Sequence, residues 1–113
     1  MADFKEIKNS QEFAELLDES FRRKIILFKH STTCPISACA WREVQDFILG
    51  SQDEVLVVMI KVIESRAVSN QVAEELGVMH QSPQALLLSN GKVLWQVSHQ
   101  AVIRENIAKA LDL

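Results

Sequence analysis

Apolar positions recur along the chain in blocks, and the spacing within each block predicts an element. Phe13, Leu16, Leu17 and Phe21 fall at helical intervals. Asn9 stands ahead of them with Glu12 three places on, the pattern of a capping box, so a first helix is expected from about Ser10 to Ser20. Ile25–Phe28 is a continuous apolar run bounded by Lys24 and Lys29, short enough for a strand. Pro35 suits the first position of a second helix, where a missing N–H costs nothing. Trp41, Val44, Phe47 and Ile48 give that helix its buried face, and Gly50 stops it. Val55–Val62 is the strongest strand signal, apolar enough throughout to be buried on both faces. Val68, Val72 and Leu76 mark a third helix closed by Gly77. Ala85–Leu88 and Val93–Val97 flank Asn90-Gly91, the dipeptide of a tight hairpin turn. Ile103, Ile107 and Leu111 make a last helix.

The expected order is helix, strand, helix, strand, helix, strand, strand, helix. Strands joined through a helix favour a right-handed parallel crossover, while the last pair makes an antiparallel hairpin. An α/β fold follows: a four-stranded mixed sheet with helices on both faces, the topology shared by the thioredoxin fold.

Composition narrows the function classes. The 113 residues suit one domain spanning 1–113, large enough to hold a core without staples. Hydrophobic residues make up 48% and charged residues 24%, which excludes a disordered chain. A net charge of −3 argues against nucleic acid as a partner, since phosphate contacts need clustered Lys and Arg. The longest strictly apolar run, Val55–Ile60, is far short of the roughly 20 residues of a membrane span. The first residues mix both charges and lack the apolar core of a secretory signal. Two cysteines make no disulfide scaffold. A soluble cytoplasmic domain with reduced thiols is expected.

The chemistry concentrates in Thr32-Thr33-Cys34-Pro35-Ile36-Ser37, at a strand-to-helix junction. Pro35 disfavours the helical conformation at Cys34 and so sets Cys34 at the cap. Unpaired N–H groups of the first turn and the positive end of the helix dipole then favour a thiolate, the nucleophilic form. Side-chain charge helps less. Arg22–Lys24 lie about 30 Å back along an extended chain, and Arg42 sits about 12 Å up the helix axis. Only Lys29 and His30 are placed to sit close. Ser37 stands three places on, where dithiol oxidoreductases carry a resolving cysteine; its hydroxyl can hydrogen-bond a thiolate but cannot form a disulfide. Cys39 is rotated about 140° and raised about 7.5 Å along the helix, too far to bridge without unwinding it. A monothiol mechanism is therefore expected. Cys39 itself reads as a small buried hydrophobe, and Trp41 and Phe47 as core. His30, His80 and His99 are too scattered for a metal site. Ser82-Pro83 enters a strand through a special turn whose isomer the sequence leaves open.

Thr33-Cys34-Pro35-Ile36-Ser37, with His80-Gln81-Ser82-Pro83-Gln84 downstream, resembles the YtxJ-type monothiol bacilliredoxins, over about Phe4 to Leu113. The resemblance implies a cytosolic oxidoreductase that removes bacillithiol from mixed disulfides on client proteins. Cys34 would be the catalytic, bacillithiol-accepting residue. Pro83 would be a cis-proline beside it, with Gln81 and Ser82 offering backbone groups to the substrate. Thr33, Pro35 and Ser37 complete the expected substrate contacts. No tightly bound cofactor or metal is expected; bacillithiol is the thiol co-substrate, and the protein a monomer or weak dimer. Two readings from other classes compete. One is an iron–sulfur carrier of monothiol glutaredoxin type, disfavoured by Pro35 where such proteins carry glycine. The other is a noncatalytic thioredoxin-like redox sensor in which Cys34 is merely capped.

Overall fold

The computed structural model describes residues 1–51 and 54–113. Its elements run β1 (Asp3–Glu6), α1 (Ser10–Glu19), β2 (Ile25–His30), α2 (Pro35–Gly50), β3 (Leu56–Lys61), α3 (Arg66–Leu76), β4 (Gln84–Ser89), β5 (Lys92–Ser98), a 3-10 turn at His99–Ala101, and α4 (Arg104–Ala110). No described helix is long and apolar enough to cross a membrane.

The sheet has five strands in the order β1-β3-β2-β4-β5, one more than the pattern predicts. The extra strand is β1, an edge strand parallel to β3 with Phe4 opposite Val57. Its Asp-Phe-Lys-Glu sequence carries one apolar residue, so periodicity alone does not betray it. The residues flanking it hold it down: Ala2 and Ile7 are buried, and their amides donate to Ile48 O and Met59 O. The parallel β2–β3 crossover and the antiparallel β4–β5 hairpin take the expected directions. At the hairpin tip Asn90 and Gly91 both have positive φ, 53° and 75°, as a two-residue turn of the primed type requires. Ser20 fastens that tip to the end of α1, accepting from Asn90 N–H and Gly91 N–H at 2.8 Å each.

The remaining boundaries follow the sequence closely, and Asn9 caps α1 by accepting from Glu12 N–H at 2.9 Å. Glu12 reaches back to Lys8 N–H at 2.8 Å, one residue earlier than a capping box has it. One boundary is different in kind. The strand expected to stop before Lys29 continues to His30, and Lys29 is fully buried within it.

Alternation along β2 divides the core. Ile26 and Phe28 pack under α2 and α4 with Val44, Phe47, Val57 and Ile107. Ile25 and Leu27 pack under α1 and α3 with Phe13, Leu16, Val68 and Val72. Phe47 is core as expected, and Trp41 is half-buried against the first of these clusters. By the same alternation His30 belongs to the α2 face and Lys29 to the α3 face.

Candidate active site

Cys34 caps α2. Its backbone is extended (φ −105°, ψ 123°), with Pro35 opening the helix and no side chain capping the first-turn amides. The Cys34 carbonyl accepts from Ala38 N–H at 3.0 Å, starting the helical ladder, and its own N–H donates to Ser31 O at 3.3 Å. The sulfur-bearing residue is half-buried, while Thr33, Pro35 and Ile36 around it are exposed.

Ser37 is fully buried in the first turn of α2. Its oxygen accepts from Ser31 N–H at 2.9 Å and lies 2.8 Å from His30 Nδ1. The hydroxyl three places past the cysteine thus ties the helix start to the end of β2. His30 is held in turn by ring contacts with Phe28 and Trp41, at centroid distances of 5.4 and 6.0 Å. Burial pushes the His30 imidazole below its ordinary range, Lys61 adds to this, and Glu64 opposes it. Glu64 accepts from Thr32 Oγ1 at 3.0 Å. Its carboxyl is held below the usual range first by a backbone hydrogen bond in its own residue, then by Thr32.

The loop entering β4 lies at the same end of the sheet. Lys29 pairs with Gln84 across the antiparallel β2–β4 ladder, so the next step along it sets Pro83 opposite His30, just before the Cys34 loop. The Ser82–Pro83 bond is cis. Pro83 is buried, Gln81 and Ser82 are half-buried, and Pro83 O accepts from His99 N–H at 2.9 Å. The sequence motif around Cys34 and the Gln81–Pro83 turn are therefore brought to one end of one sheet.

Two expectations fail. Cys39 is exposed, with Arg42 Nη2 donating to its sulfur at 3.3 Å. The buried face of α2 is Ser37, Ala40, Val44, Phe47 and Ile48, and position 39 falls off it. It borders a shallow groove of about 170 Å³ with Ile36, Ala40, His99 and Val102. Lys29, expected near the cysteine, projects to the opposite face of the sheet. There its Nζ donates to Ser69 O of α3 at 2.9 Å and lies 3.1 Å from His80 Nδ1. A larger cleft of about 380 Å³, lined by Arg22–Lys24 and Asp112, sits at the other end of β2 and holds none of the expected site residues.

A sequence profile of the monothiol bacilliredoxin BrxC matches residues 5–107. The chain belongs to the monothiol bacilliredoxin family. Among solved structures it is similar to a candidate oxidoreductase with a thioredoxin fold (TM-score 0.86, 27% identity, 96% of this chain and 93% of that one). It is also similar to mitochondrial thioredoxin 3 of Saccharomyces cerevisiae in its oxidised form (TM-score 0.76, 17% identity, 97% and 95%). Fasciola hepatica thioredoxin matches as well (TM-score 0.75, 14% identity, 96% of each chain). The two thioredoxins speak for the fold alone. Family membership, with the first of these structures beside it, assigns this bacilliredoxin a redox enzyme's role in thiol chemistry.

Proposed function

We propose that this bacilliredoxin removes bacillithiol from mixed disulfides on client proteins by a monothiol mechanism through Cys34. The Cys34 thiolate attacks the bacillithiol sulfur of the mixed disulfide. That S–S bond breaks, a Cys34–bacillithiol disulfide forms, and the client leaves as a thiolate that takes up a proton. A second bacillithiol thiolate attacks the bacillithiol sulfur held on Cys34, releasing oxidised bacillithiol and restoring the Cys34 thiolate. Rate follows thiolate fraction, leaving-group acidity and access. Thr33 and Pro35 beside the sulfur, and backbone groups of Gln81 and Ser82 next to Pro83, receive the substrate. Ser37 occupies the resolving position without resolving. Bacillithiol is a co-substrate, no tightly bound cofactor takes part, and the reduced thiols suit the cytoplasm.

The observation that carries this reading is Cys34 at the start of α2 with a buried, hydrogen-bonded serine where a resolving thiol would stand. Intact mass after exposure to oxidised bacillithiol tests it on wild type, Cys34→Ser and Cys39→Ser. One adduct is expected, absent only from Cys34→Ser and discharged by reduced bacillithiol. Loss of two hydrogens without an adduct would mean that Cys34 and Cys39 bridge, and would sink the monothiol route.

A further inference from the structure

Lys29 is a charged residue with no exposed surface, on the face of β2 that carries Ile25 and Leu27 toward α3. Among the described residues no carboxylate forms an ion pair with it. Its ammonium meets Ser69 O and His80 Nδ1. An ammonium only donates, so His80 Nδ1 accepts and the imidazole carries its proton on Nε2. The surroundings are no better compensated. Among the described residues, buried Ser69 Oγ and Gln84 Oε1, the latter on the ladder partner of Lys29, find no hydrogen-bond partner. A buried charge without a counter-charge costs stability that an apolar side chain of equal length would not. Departures of this kind concentrate where function requires them.

What Lys29 accomplishes is set by where His80 stands. The segment from Val78 to Pro83 has no regular secondary structure. It is fastened to the fold at Met79 O by Gln84 Nε2 (3.1 Å), at Pro83 O by His99 N–H (2.9 Å), and between them at His80 by Lys29. Gln81 and Ser82 lie between the last two of these anchors. We propose that Lys29 is a positioning residue for thiol exchange: through His80 it holds the loop before β4 in the shape that presents Gln81 and Ser82 to an incoming mixed disulfide. This rests on the exchange reading above. Lys29 acts on the opposite face of the sheet from α2, so its effect falls on substrate binding and not on the sulfur.

The test compares wild type, Lys29→Met, His80→Leu and His80→Asn on a peptide carrying a bacillithiol mixed disulfide. Asparagine keeps an acceptor near the Nδ1 position; leucine removes it. Losing a hydrogen bond to a charged donor corresponds to a rise of about ten-fold in KM for Lys29→Met and His80→Leu. His80→Asn is expected to recover most of it. Alkylation of Cys34 by iodoacetamide is expected to stay within about two-fold of wild type, and Lys29→Met to melt no lower than wild type. An unchanged KM in Lys29→Met overturns the proposal. So does a Cys34 alkylation rate that falls in step with turnover, because Lys29 would then act on the sulfur. Should wild type itself fail to turn over the peptide, the exchange reading falls. Amide hydrogen exchange at Gln81 and Ser82 then judges the anchor: faster exchange by about ten-fold in Lys29→Met upholds it, and equal protection removes it.

Discussion

At the scale of single residues, the cost of Lys29 is open to measurement. Burial lowers its ammonium from the ordinary 10.5 to about 8. A base whose folded pKa is depressed penalises the fold wherever the folded state must carry the proton, and the penalty fades where only the unfolded chain holds it. The penalty is complete below pH 8, where both states are charged, is relieved as pH rises from 8 to 10.5, and is gone above 10.5, where both are neutral. The shift corresponds to about 3 kcal/mol. Lys29→Met should therefore raise unfolding free energy at pH 7, and its advantage over wild type should shrink by up to about 3 kcal/mol by pH 10. Urea unfolding of both proteins at the two pH values measures this; an advantage that does not change with pH would refute the burial cost. Nothing local in the sequence announces the residue's role. A lysine at the end of an apolar run reads as a boundary, and its partners lie 40 and 51 positions away. Only strand alternation, extended past Phe28, places it on the inner face.

Among elements, the junction of β2 with α2 was the most legible part of the molecule. Cys-Pro sets the cap by local sterics, and Val44, Phe47 and Ile48 recur at helical spacing, so both are written within a few neighbouring residues. The role of Ser37 was not legible, because its partners depend on how β2 lies beneath the helix. Ser37→Ala leaves the Ser31 N–H and the His30 ring nitrogen without their shared oxygen. The expected loss is about 1–3 kcal/mol of stability, read as a lower urea midpoint with an unchanged slope. A midpoint equal to wild type would show that this oxygen fastens nothing. Cys39 was misread for a related reason: cysteine's usual burial predicts an inner position, whereas helical phase puts it outside.

For the molecule as a whole, the site exists because the sheet changes direction at β2. Parallel pairing to β3 and antiparallel pairing to β4 bring the end of β2 and the beginning of β4 to the same edge. Alternating strand and helix patterns foretold the β2–β3 crossover and the β4–β5 hairpin, but not the fifth strand, whose stability comes from its ends. Ile7, buried under the α1 and α3 side, is the firmer of these. Ile7→Ala should cost about 2–4 kcal/mol by chemical denaturation, a large share of a small domain's total. A cost under 1 kcal/mol would mean that β1 is an appendage. The serine beneath Cys34 also bears on how such a chain changes over generations. Most serine codons lie one nucleotide from a cysteine codon, so a dithiol motif is within short mutational reach. Yet sulfur is a weak acceptor, and a cysteine at 37 would forfeit both the Ser31 amide and the His30 ring. The packing under the helix therefore resists exchange of this serine for cysteine.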